Sequence, residues 1–396
     1  MKPKLLVLTP RFPYPVIGGD RLRIYQICKV LSTHFDLTLL SLTDSKKDIG
    51  FKTLDNIFVA VEVVYMPKWK SWLNCILALP SKIPLQVAYY KNRKFKDRAK
   101  DLMSWHDGAL AHLIRVGDAI KDIEAVKFLE MTDAISLNYS RVRDAEYLKP
   151  NFLSFIYSLE ASRLRMYETT IVDNFNLSIL VSEIDRQYLF GDLGAAGKRV
   201  IVSTNGVDLD DFKYSYSEDA VDLIFIGNMQ SLQNYDAAYY MASEVLPIVR
   251  KYLPHVKLRL IGRISTKDAD KLSAFDGVYL TGEVANVSIA AHGGAIGVCP
   301  VRLGAGVQNK VLEYMALGLP VVSTSIGLQG FDAVNGEHLI VADDADEFAK
   351  EILILLNDKN KRKHIAAAAR AYVECNHAWK SKFQPVIENI IKELDK

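Results

Sequence analysis

The fold of this chain can be inferred outward from Pro300-Val-Arg-Leu-Gly-Ala-Gly-Val-Gln-Asn-Lys-Val-Leu-Glu-Tyr-Met-Ala-Leu-Gly-Leu-Pro-Val-Val322. A buried apolar run ends at Pro300, a pair of glycines precedes a helical pattern, and that pattern stops at Gly318 and Pro320. A Val-Val strand follows. The stretch therefore predicts a strand, a glycine loop, a helix and a second strand, in that order.

Lys310 and Glu313 lie three residues apart and share one side of the predicted helix, near its N-terminal end. Free backbone N–H groups at a helix start, a glycine loop and a nearby lysine together favour a diphosphate site. The alternative is an ordinary exposed Lys/Glu pair on a surface helix. The segment taken alone leaves both interpretations open.

Composition sets outer limits on the class of protein. The chain has 396 residues, 49% of them apolar, which suggests two domains. Its net charge of +2 argues against a nucleic-acid partner, although residues 1–105 carry 18 Lys and Arg against 8 Asp and Glu. Four cysteines without paired spacing, and no apolar segment of membrane-spanning length, predict a cytoplasmic protein without disulfides or zinc.

The N-terminal half alternates short apolar strands with helices. The first strand, at 5–9, is followed by Gly18 and Gly19 before a helix, and further strands are expected near 36–42, 61–66, 108–113, 126–129, 177–181 and 199–202. His112 ends one of these strands, where open α/β sheets place functional groups. It is either catalytic or a structural histidine that hydrogen-bonds a loop.

Residues 69–105 mix tryptophans and aliphatic residues with a cationic run from Lys91 to Lys100. Such a mixture suits a helix that rests on an anionic membrane surface. A solvated basic helix over an ordinary core is the alternative.

The same pattern of strand, glycine and helix restarts after residue 205, with strands near 223–227, 257–261, 278–280, 295–299 and 321–323. The predicted fold class is α/β, with two doubly wound Rossmann-like domains that face each other across a ligand-binding cleft. The domains are expected at 1–205 and 206–378, followed by an amphipathic C-terminal helix at 379–396 that crosses back to the first domain.

These motifs together resemble the retaining glycosyltransferases of family 4, the glycosyl transferases group 1, which have the two-domain GT-B fold. The resemblance runs over nearly the whole chain. It is carried by Gly18-Gly19, Asn205-Gly-Val-Asp208, Phe225-Ile-Gly227, Thr281-Gly-Glu-Val284 and Lys310-Val-Leu-Glu313-Tyr-Met-Ala-Leu-Gly-Leu-Pro-Val-Val322.

The resemblance implies an N-terminal acceptor-binding domain and a C-terminal domain that binds a UDP- or GDP-sugar without a metal. In it, Glu313 would accept hydrogen bonds from the ribose hydroxyls, Lys310 would hold the diphosphate, and His112 would lie near the transferred sugar. Main-chain atoms would hold the base at Val284. The remaining donor-binding positions would be Gly18, Gly19, Gly227, Asn228, Arg263, Gly304, Ala305, Gly306 and Val307.

Two departures from the family pattern concern the donor. Ala305 stands where the family has the first Glu of its Glu, seven residues, Glu motif, so the sugar contact of that Glu is absent or is made by backbone. Asn228 and the uncharged run that follows it replace an Arg and a Lys. Lys310, with Arg263 or Arg302, would then have to offset the diphosphate charge.

The resulting hypothesis is a hexosyltransferase that builds a cell-surface glycan precursor, on either a free or a lipid-linked acceptor, in the cytoplasm or peripherally on the inner face of the membrane. Two alternatives stay open at this point. One is a GT-B sugar-nucleotide epimerase, and the other is a non-catalytic GT-B-like subunit that binds a partner glycosyltransferase.

Overall fold

The computed structural model describes residues 2–16, 19–51, 55–144, 152–191, 197–303 and 308–396. The chain divides into two compact units. Unit 1 comprises Met1–Thr204 and Trp379–Lys396, and unit 2 comprises Asn205–Ala378. The chain therefore passes between the units twice, after Thr204 and after Ala378.

Unit 1 contains a seven-stranded sheet in which every neighbouring pair is parallel. Its spatial order is β3-β2-β1-β4-β5-β6-β7, so the order reverses between β1 and β4. The central strands are buried on both faces, as their unbroken apolar sequences predict. The strands are β1 (Lys4–Thr9), β2 (Asp36–Thr43), β3 (Phe58–Tyr65), β4 (Gly108–His112), β5 (Lys127–Thr132), β6 (Leu177–Leu180) and β7 (Val200–Val202).

Helices cover the sheet of unit 1, and several start at the polar caps that their sequences supply. Asn92 accepts a hydrogen bond from the Phe95 N–H, and Ser182 accepts one from the Asp185 N–H. The helices are α1 (Gly19–Leu31), α2 (Lys68–Ala78), α3 (Leu85–Tyr89), α4 (Arg93–Met103), α5 (Ile114–Ile120), α6 (Ile135–Asp144), α7 (Phe152–Ile171) and α8 (Glu183–Phe190).

Unit 2 repeats the architecture with a six-stranded parallel sheet. Its order, β10-β9-β8-β11-β12-β13, reverses between β8 and β11. One hydrophobic cluster joins both faces of this sheet to its helices. The strands are β8 (Asp222–Ile226), β9 (Leu258–Ile261), β10 (Val278–Gly282), β11 (Gly294–Cys299), β12 (Val321–Ser323) and β13 (Ile340–Val341).

The helices of unit 2 include a long helical segment that is interrupted by a π-helical turn. It consists of α9 (Leu232–Tyr240), a π-helical turn (Met241–Val245) and α10 (Leu246–Tyr252). The others are α11 (Thr266–Ser273), α12 (Val287–Ala291), α13 (Asn309–Leu317), α14 (Ala345–Asn357) and α15 (Lys359–Asn376).

The last helix, α16 (Trp379–Leu394), returns to unit 1 and completes its core, as predicted. Its apolar face, with Phe383 and Ile387 fully buried, belongs to the same cluster as Ile24 and Ile27 of α1. Each fully buried side chain of this size contributes roughly 1.5–3 kcal/mol to stability. Unit 1 therefore depends on residues that follow unit 2 in the sequence.

The predicted fold class is confirmed, since both units are α/β and doubly wound around parallel sheets. Strand β13, only two residues long, and the short helices α11 and α12 are not predicted from the sequence. Among the described residues, no helix is both long enough and apolar enough to span a membrane.

Candidate active site

The donor-binding residues predicted in unit 2 gather at the carboxyl ends of β8 and β11, where the strand order reverses. Gly227 and Asn228 follow β8 directly, and α13 begins at Asn309, after β11 and its loop. Parallel α/β sheets bind ligands at this kind of reversal point. Gly304, Ala305, Gly306 and Val307 lie outside the described residues.

Lys310 is the buried cation of this region. Its side chain is only 7% exposed, so the alternative of an exposed surface pair does not fit the structure. Its Nζ donates a hydrogen bond to Asn234 Oδ1 at 2.6 Å and lies 4.6 Å from the centre of the Phe225 ring. Burial lowers the pKa of Lys310, against the opposing influence of Cys299 and Glu313.

Lys310 forms no ion pair with a carboxylate of the described residues, and its hydrogen-bonding partner Asn234 is neutral. A buried ammonium costs free energy unless an opposite charge compensates it. An anion bound beside α13 would supply that charge. This is the strongest sign of a ligand site in unit 2.

Glu313 follows one turn later on α13 and is half-buried. Burial raises the pKa of its carboxyl group to about 7, while the neighbouring Lys310 acts to lower it. The carboxylate that the sequence assigns to ribose binding is therefore half protonated near neutral pH.

Tyr314 holds α13 in register with the sheet. Its hydroxyl accepts a hydrogen bond from the Ile226 N–H at 2.7 Å and donates one to the Val298 carbonyl at 3.3 Å. The ring fits because residue 297 is glycine, and a Cβ there would lie 2.3 Å from Tyr314 Cγ. This contact ties the helix that carries Lys310 and Glu313 to the ends of β8 and β11.

A second close approach joins the ends of β8 and β9. Gly262 has a φ of 135°, and a Cβ on it would lie 2.1 Å from the Gly227 carbonyl oxygen. Only glycine fits there. Its N–H donates to the Gly282 carbonyl oxygen at 3.0 Å. At the ends of the neighbouring strands β8, β9 and β10, glycine backbones are therefore in close contact, with no side chains between them.

The cations named as helpers of Lys310 are already engaged. Arg302 forms a bidentate pair with Asp236 at 2.8 and 3.2 Å. Arg263 Nη2 donates to Glu283 Oε1 at 2.6 Å, yet its buried Nε has no hydrogen-bond partner among the described residues. Val284 follows Glu283 and is partly buried.

Asn234 lies in the uncharged run that follows Asn228 and is not among the residues predicted from the sequence. Besides accepting from Lys310, it donates through Nδ2 to the Asn228 carbonyl at 3.1 Å. Asn228, Asn234 and Lys310 therefore form one chain of hydrogen bonds from the end of β8 to α13. No motif signals this, because an asparagine in a polar run is usually a turn residue.

In unit 1, His112 ends β4 and is 2% exposed. Its Nδ1 lies 2.5 Å from Glu130 Oε2, and Glu130 Oε1 also accepts from Arg23 Nε at 2.7 Å. Burial favours a raised pKa for Glu130, but Arg23 and His112 outweigh it and lower the pKa to about 2. The other ring nitrogen, Nε2, is buried and has no partner in the described part of the chain.

Leu113, directly after His112, and Thr132, two residues after Glu130, adopt backbone conformations that are unusual for their types. Leu113 has a φ of 70°, and Thr132 has a φ of 65°. Such conformations cost on the order of 1–3 kcal/mol each and concentrate at functional sites. Gly19 begins α1, which also carries Arg23, while Gly18 lies outside the described residues.

The three Asp-X-Asp tripeptides of the sequence, which begin at Asp208, Asp268 and Asp344, serve turns and helix starts. Asp208 Oδ1 accepts from the Asp210 N–H at 3.1 Å, Asp268 Oδ2 accepts from the Ser265 hydroxyl at 2.6 Å, and Asp344 Oδ1 accepts from the Glu347 N–H at 2.8 Å. In the described residues, no cluster of three or more His, Cys, Asp or Glu could hold a metal ion.

The two Rossmann-like units, each with predicted site residues where its strand order reverses, define a protein of the GT-B fold. Solved structures of similar fold support this assignment. Sucrose-phosphate synthase from Thermosynechococcus elongatus superimposes with a TM-score of 0.73 at 14% identity, covering 97% of this chain and 98% of the other. HepE from Anabaena, in complex with UDP and glucose, superimposes with a TM-score of 0.69 at 16% identity, covering 98% of this chain and 100% of the other.

Residues 220–358 match the family model described as "Glycosyl transferases group 1". The matched segment lies within unit 2, so the similarity to this family's domain is located there. An "Uncharacterized 44.6 kDa protein in cps region" of Klebsiella pneumoniae is 25% identical over 407 residues, covering 97% of this chain and 99% of that protein. The roles of the individual site residues stay predictions.

Proposed function

We propose that this chain is a retaining, metal-independent hexosyltransferase that moves a sugar from a UDP- or GDP-sugar to a lipid-linked precursor of a cell-surface polysaccharide. The observation that carries the proposal is Lys310 at the reversal point of unit 2, a buried cation without an anionic partner among the described residues. HepE, which shares the fold, has been solved with UDP-glucose, which supports a nucleotide-sugar donor. The cps region of the Klebsiella relative supports a polysaccharide product.

In this proposal unit 2 stabilises the leaving group. As the bond between the anomeric carbon and the diphosphate oxygen breaks, negative charge gathers on the diphosphate, and Lys310 and the start of α13 stabilise it. The acceptor oxygen attacks from the same face, and its proton passes to a β-phosphate oxygen. Glu313 orients the nucleotide by accepting hydrogen bonds from the ribose hydroxyls.

His112 in unit 1 orients the sugar. Because Glu130 accepts from Nδ1–H, Nε2 is the ring nitrogen left to face a ligand. A sugar hydroxyl would form a hydrogen bond with this buried nitrogen, which has no partner among the described residues. Glu130 and Arg23 act through His112, by fixing its tautomer and ring orientation.

Nucleotide-dependent thermal stability tests the proposal. UDP or GDP at about 100 times its Kd should stabilise the protein by about 2.7 kcal/mol. The nucleotide that does so should then be tried as a sugar donor, with product formation followed with and without added acceptors. Stabilisation by neither nucleotide would favour the non-catalytic subunit, and a changed sugar nucleotide from donor alone would favour the epimerase.

We also propose that unit 1 touches an anionic membrane through α2. This helix exposes Trp69, Trp72, Leu73, Ile76 and Leu77, with both tryptophans more than 60% exposed. The basic helix α4 contributes less, because Phe95 and Leu102 pack into the core and Arg98 is paired with Glu62 at 2.6 Å. Amphipathic helices with aromatic residues bind bilayer surfaces in this way.

Co-sedimentation with phosphatidylglycerol vesicles tests the membrane contact. The protein should bind at low salt and less at high salt. Changing Trp69 and Trp72 to Ser should release it, whereas Trp105→Ser, at an exposed tryptophan outside α2, should not. Absence of binding at low salt would refute the contact.

A further inference from the structure

A cavity of about 340 Å³ lies within unit 1, at the carboxyl ends of β1, β2 and β3. Its walls come from the residues directly after β1, from the end of β2, and from α2 and α3. The predicted site residues do not line it. Parallel α/β sheets carry ligand sites at this edge, so the location alone makes the cavity a candidate.

The charged side chains among the described residues that line this cavity are three cations, Arg11, Arg21 and Lys68, and one carboxylate, that of Asp44. Lys68 Nζ lies 3.3 Å from Asp44 Oδ2, but both side chains are more than half exposed, so water screens this ion pair. The excess of positive charge suits an anionic ligand, and two arginines suit a phosphate in particular.

Aromatic side chains shape the same cavity. The rings of Tyr89 and Tyr90 meet edge to face with centres 5.0 Å apart, and Arg11 Nε donates to the Tyr90 hydroxyl at 2.9 Å. This bond orients one guanidinium group within the cavity. Apolar and aromatic walls with a few placed charges are typical of sites for small organic ligands.

Helix α2 connects the cavity to the exposed apolar face described above. It lines the cavity with Lys68 and with the buried Ser71, and it exposes Trp69 and Trp72 to the outside. The Trp72 ring meets the Tyr89 ring edge to face, with centres 6.0 Å apart. A ligand that enters here therefore passes the surface proposed to touch the bilayer.

The sheet also sets the distance from the cavity to His112. β1 lies between β2 and β4 in the sheet. Neighbouring strands are about 4.8 Å apart, so the end of β2 lies roughly 10 Å from the end of β4. A saccharide fits between a charged group held in the cavity and a sugar at His112.

We infer that this cavity binds the phosphate or diphosphate group through which a saccharide acceptor is joined to its lipid, with Arg11, Arg21 and Lys68 as the anion-binding side chains. The inference rests on the proposed function, and it names the chemical class of the acceptor. The lipid lies along α2, and the saccharide points towards His112.

Calorimetric titration with farnesyl diphosphate, inorganic pyrophosphate and farnesol tests this assignment. Saturating UDP and GDP are included to fill any nucleotide site in unit 2. The expected order of affinity is farnesyl diphosphate above pyrophosphate, with farnesol weakest. Arg11→Gln and Lys68→Gln should each weaken farnesyl diphosphate binding at least about tenfold, since each removes a charge-assisted hydrogen bond.

Lys94→Gln is the matched control, since it removes one exposed positive charge from α4 without touching the cavity. It should bind like the wild type. Pyrophosphate binding as tight as farnesyl diphosphate binding would overturn the lipid assignment. Equal weakening by Lys94→Gln, or no weakening by Arg11→Gln and Lys68→Gln, would overturn the site.

Failure of this inference can be told apart from failure of the proposed function. The titration reports on unit 1 alone, whereas stabilisation by UDP or GDP reports on the donor site. If the protein is stabilised by a nucleotide but does not bind farnesyl diphosphate, the donor site stands and the acceptor assignment fails.

Discussion

Glu130 of unit 1 and Glu313 of unit 2 are side chains of the same type in opposite electrostatic settings. Glu130 is fully buried, yet Arg23 and His112 hold its pKa at about 2. Glu313 is less buried, but burial raises its pKa to about 7, because among the described residues only Lys310 acts to lower it. Burial acts to raise the pKa of both carboxyl groups, so the difference between their pKa values comes from their charged neighbours.

The comparison separates two kinds of site. In unit 1 the chain supplies the partners of the buried charges, and an unpartnered histidine nitrogen is left for a ligand. In unit 2 the buried charges are incompletely matched, which leaves electrostatic free energy to be gained by binding an anion. The surroundings of His112 in unit 1 therefore suit a group that forms a hydrogen bond, whereas those of Lys310 in unit 2 suit an anion.

The largest expected effect is on stability, from Glu130→Gln. This change leaves the Arg23 guanidinium buried without its carboxylate, which should cost about 3–5 kcal/mol of unfolding free energy. Urea denaturation measures it. Glu62→Gln is the control, because it breaks an exposed bidentate pair with Arg98 and should cost at most about 1 kcal/mol.

The same variant should lose part of its acid sensitivity. The folded pKa of Glu130 is about 2, below its usual value of 4.5, so its stabilising contribution is present above about pH 4.5. That contribution disappears as pH falls through about 2. Equal acid dependence in the wild type and in Glu130→Gln would show that the Arg23 pair does not stabilise the fold.

The next largest effect is on catalysis, from Lys310→Met. Turnover should fall by on the order of 100-fold or more if Lys310 stabilises the leaving diphosphate. The thermal unfolding temperature should not fall, because methionine keeps the apolar contact with Phe225 and removes a buried charge. Steady-state kinetics and calorimetry check both statements.

Lys267→Met serves as the control for charge, since Lys267 is exposed on α11. Its turnover should match the wild type. Near-normal turnover in Lys310→Met would refute the role of Lys310, and a large loss of stability would show that its charge is compensated.

The smallest effect is expected from Glu313→Gln. Only the ionised carboxylate accepts hydrogen bonds from both ribose hydroxyls, so wild-type nucleotide affinity should rise as pH increases through about 7. The glutamine variant should bind about tenfold more weakly at pH 8, with little pH dependence. Titrations at pH 6 and pH 8 measure this, and an unchanged pH profile would count against ribose binding.

The unfolding free energy of the nucleotide-free protein should decrease as pH rises, whereas the nucleotide affinity should increase. The folded pKa of Glu313 is raised above 4.5, so the folded state holds its proton up to about pH 7. The contribution of this group to stability therefore decreases between about pH 4.5 and 7 as pH rises, and Glu313→Gln should remove that slope.

The fold could be predicted from the sequence because each unit repeats short apolar strands separated by helical segments, which is a local pattern. The sites were readable only in part. Arg23 and His112 meet at Glu130, which lies 107 residues from the first and 18 from the second. No local pattern encodes such a contact, which the order of strands β1, β4 and β5 creates.

The burial of Lys310 shows the same limit. A helical wheel places Lys310 on the side of α13 away from the helix's own apolar face. In the structure that side is covered by Phe225 at the end of β8 and by Asn234 of α9. The wheel describes one helix and carries no information about these neighbours.

The return of α16 to unit 1 has a consequence for biosynthesis. Unit 2 is continuous in sequence, so it can fold as soon as residue 378 has left the ribosome. Unit 1 begins first, but it cannot bury Ile24 and Ile27 fully until Phe383 and Ile387 have been made. The first half of the chain therefore needs protection from aggregation through the whole synthesis of the second.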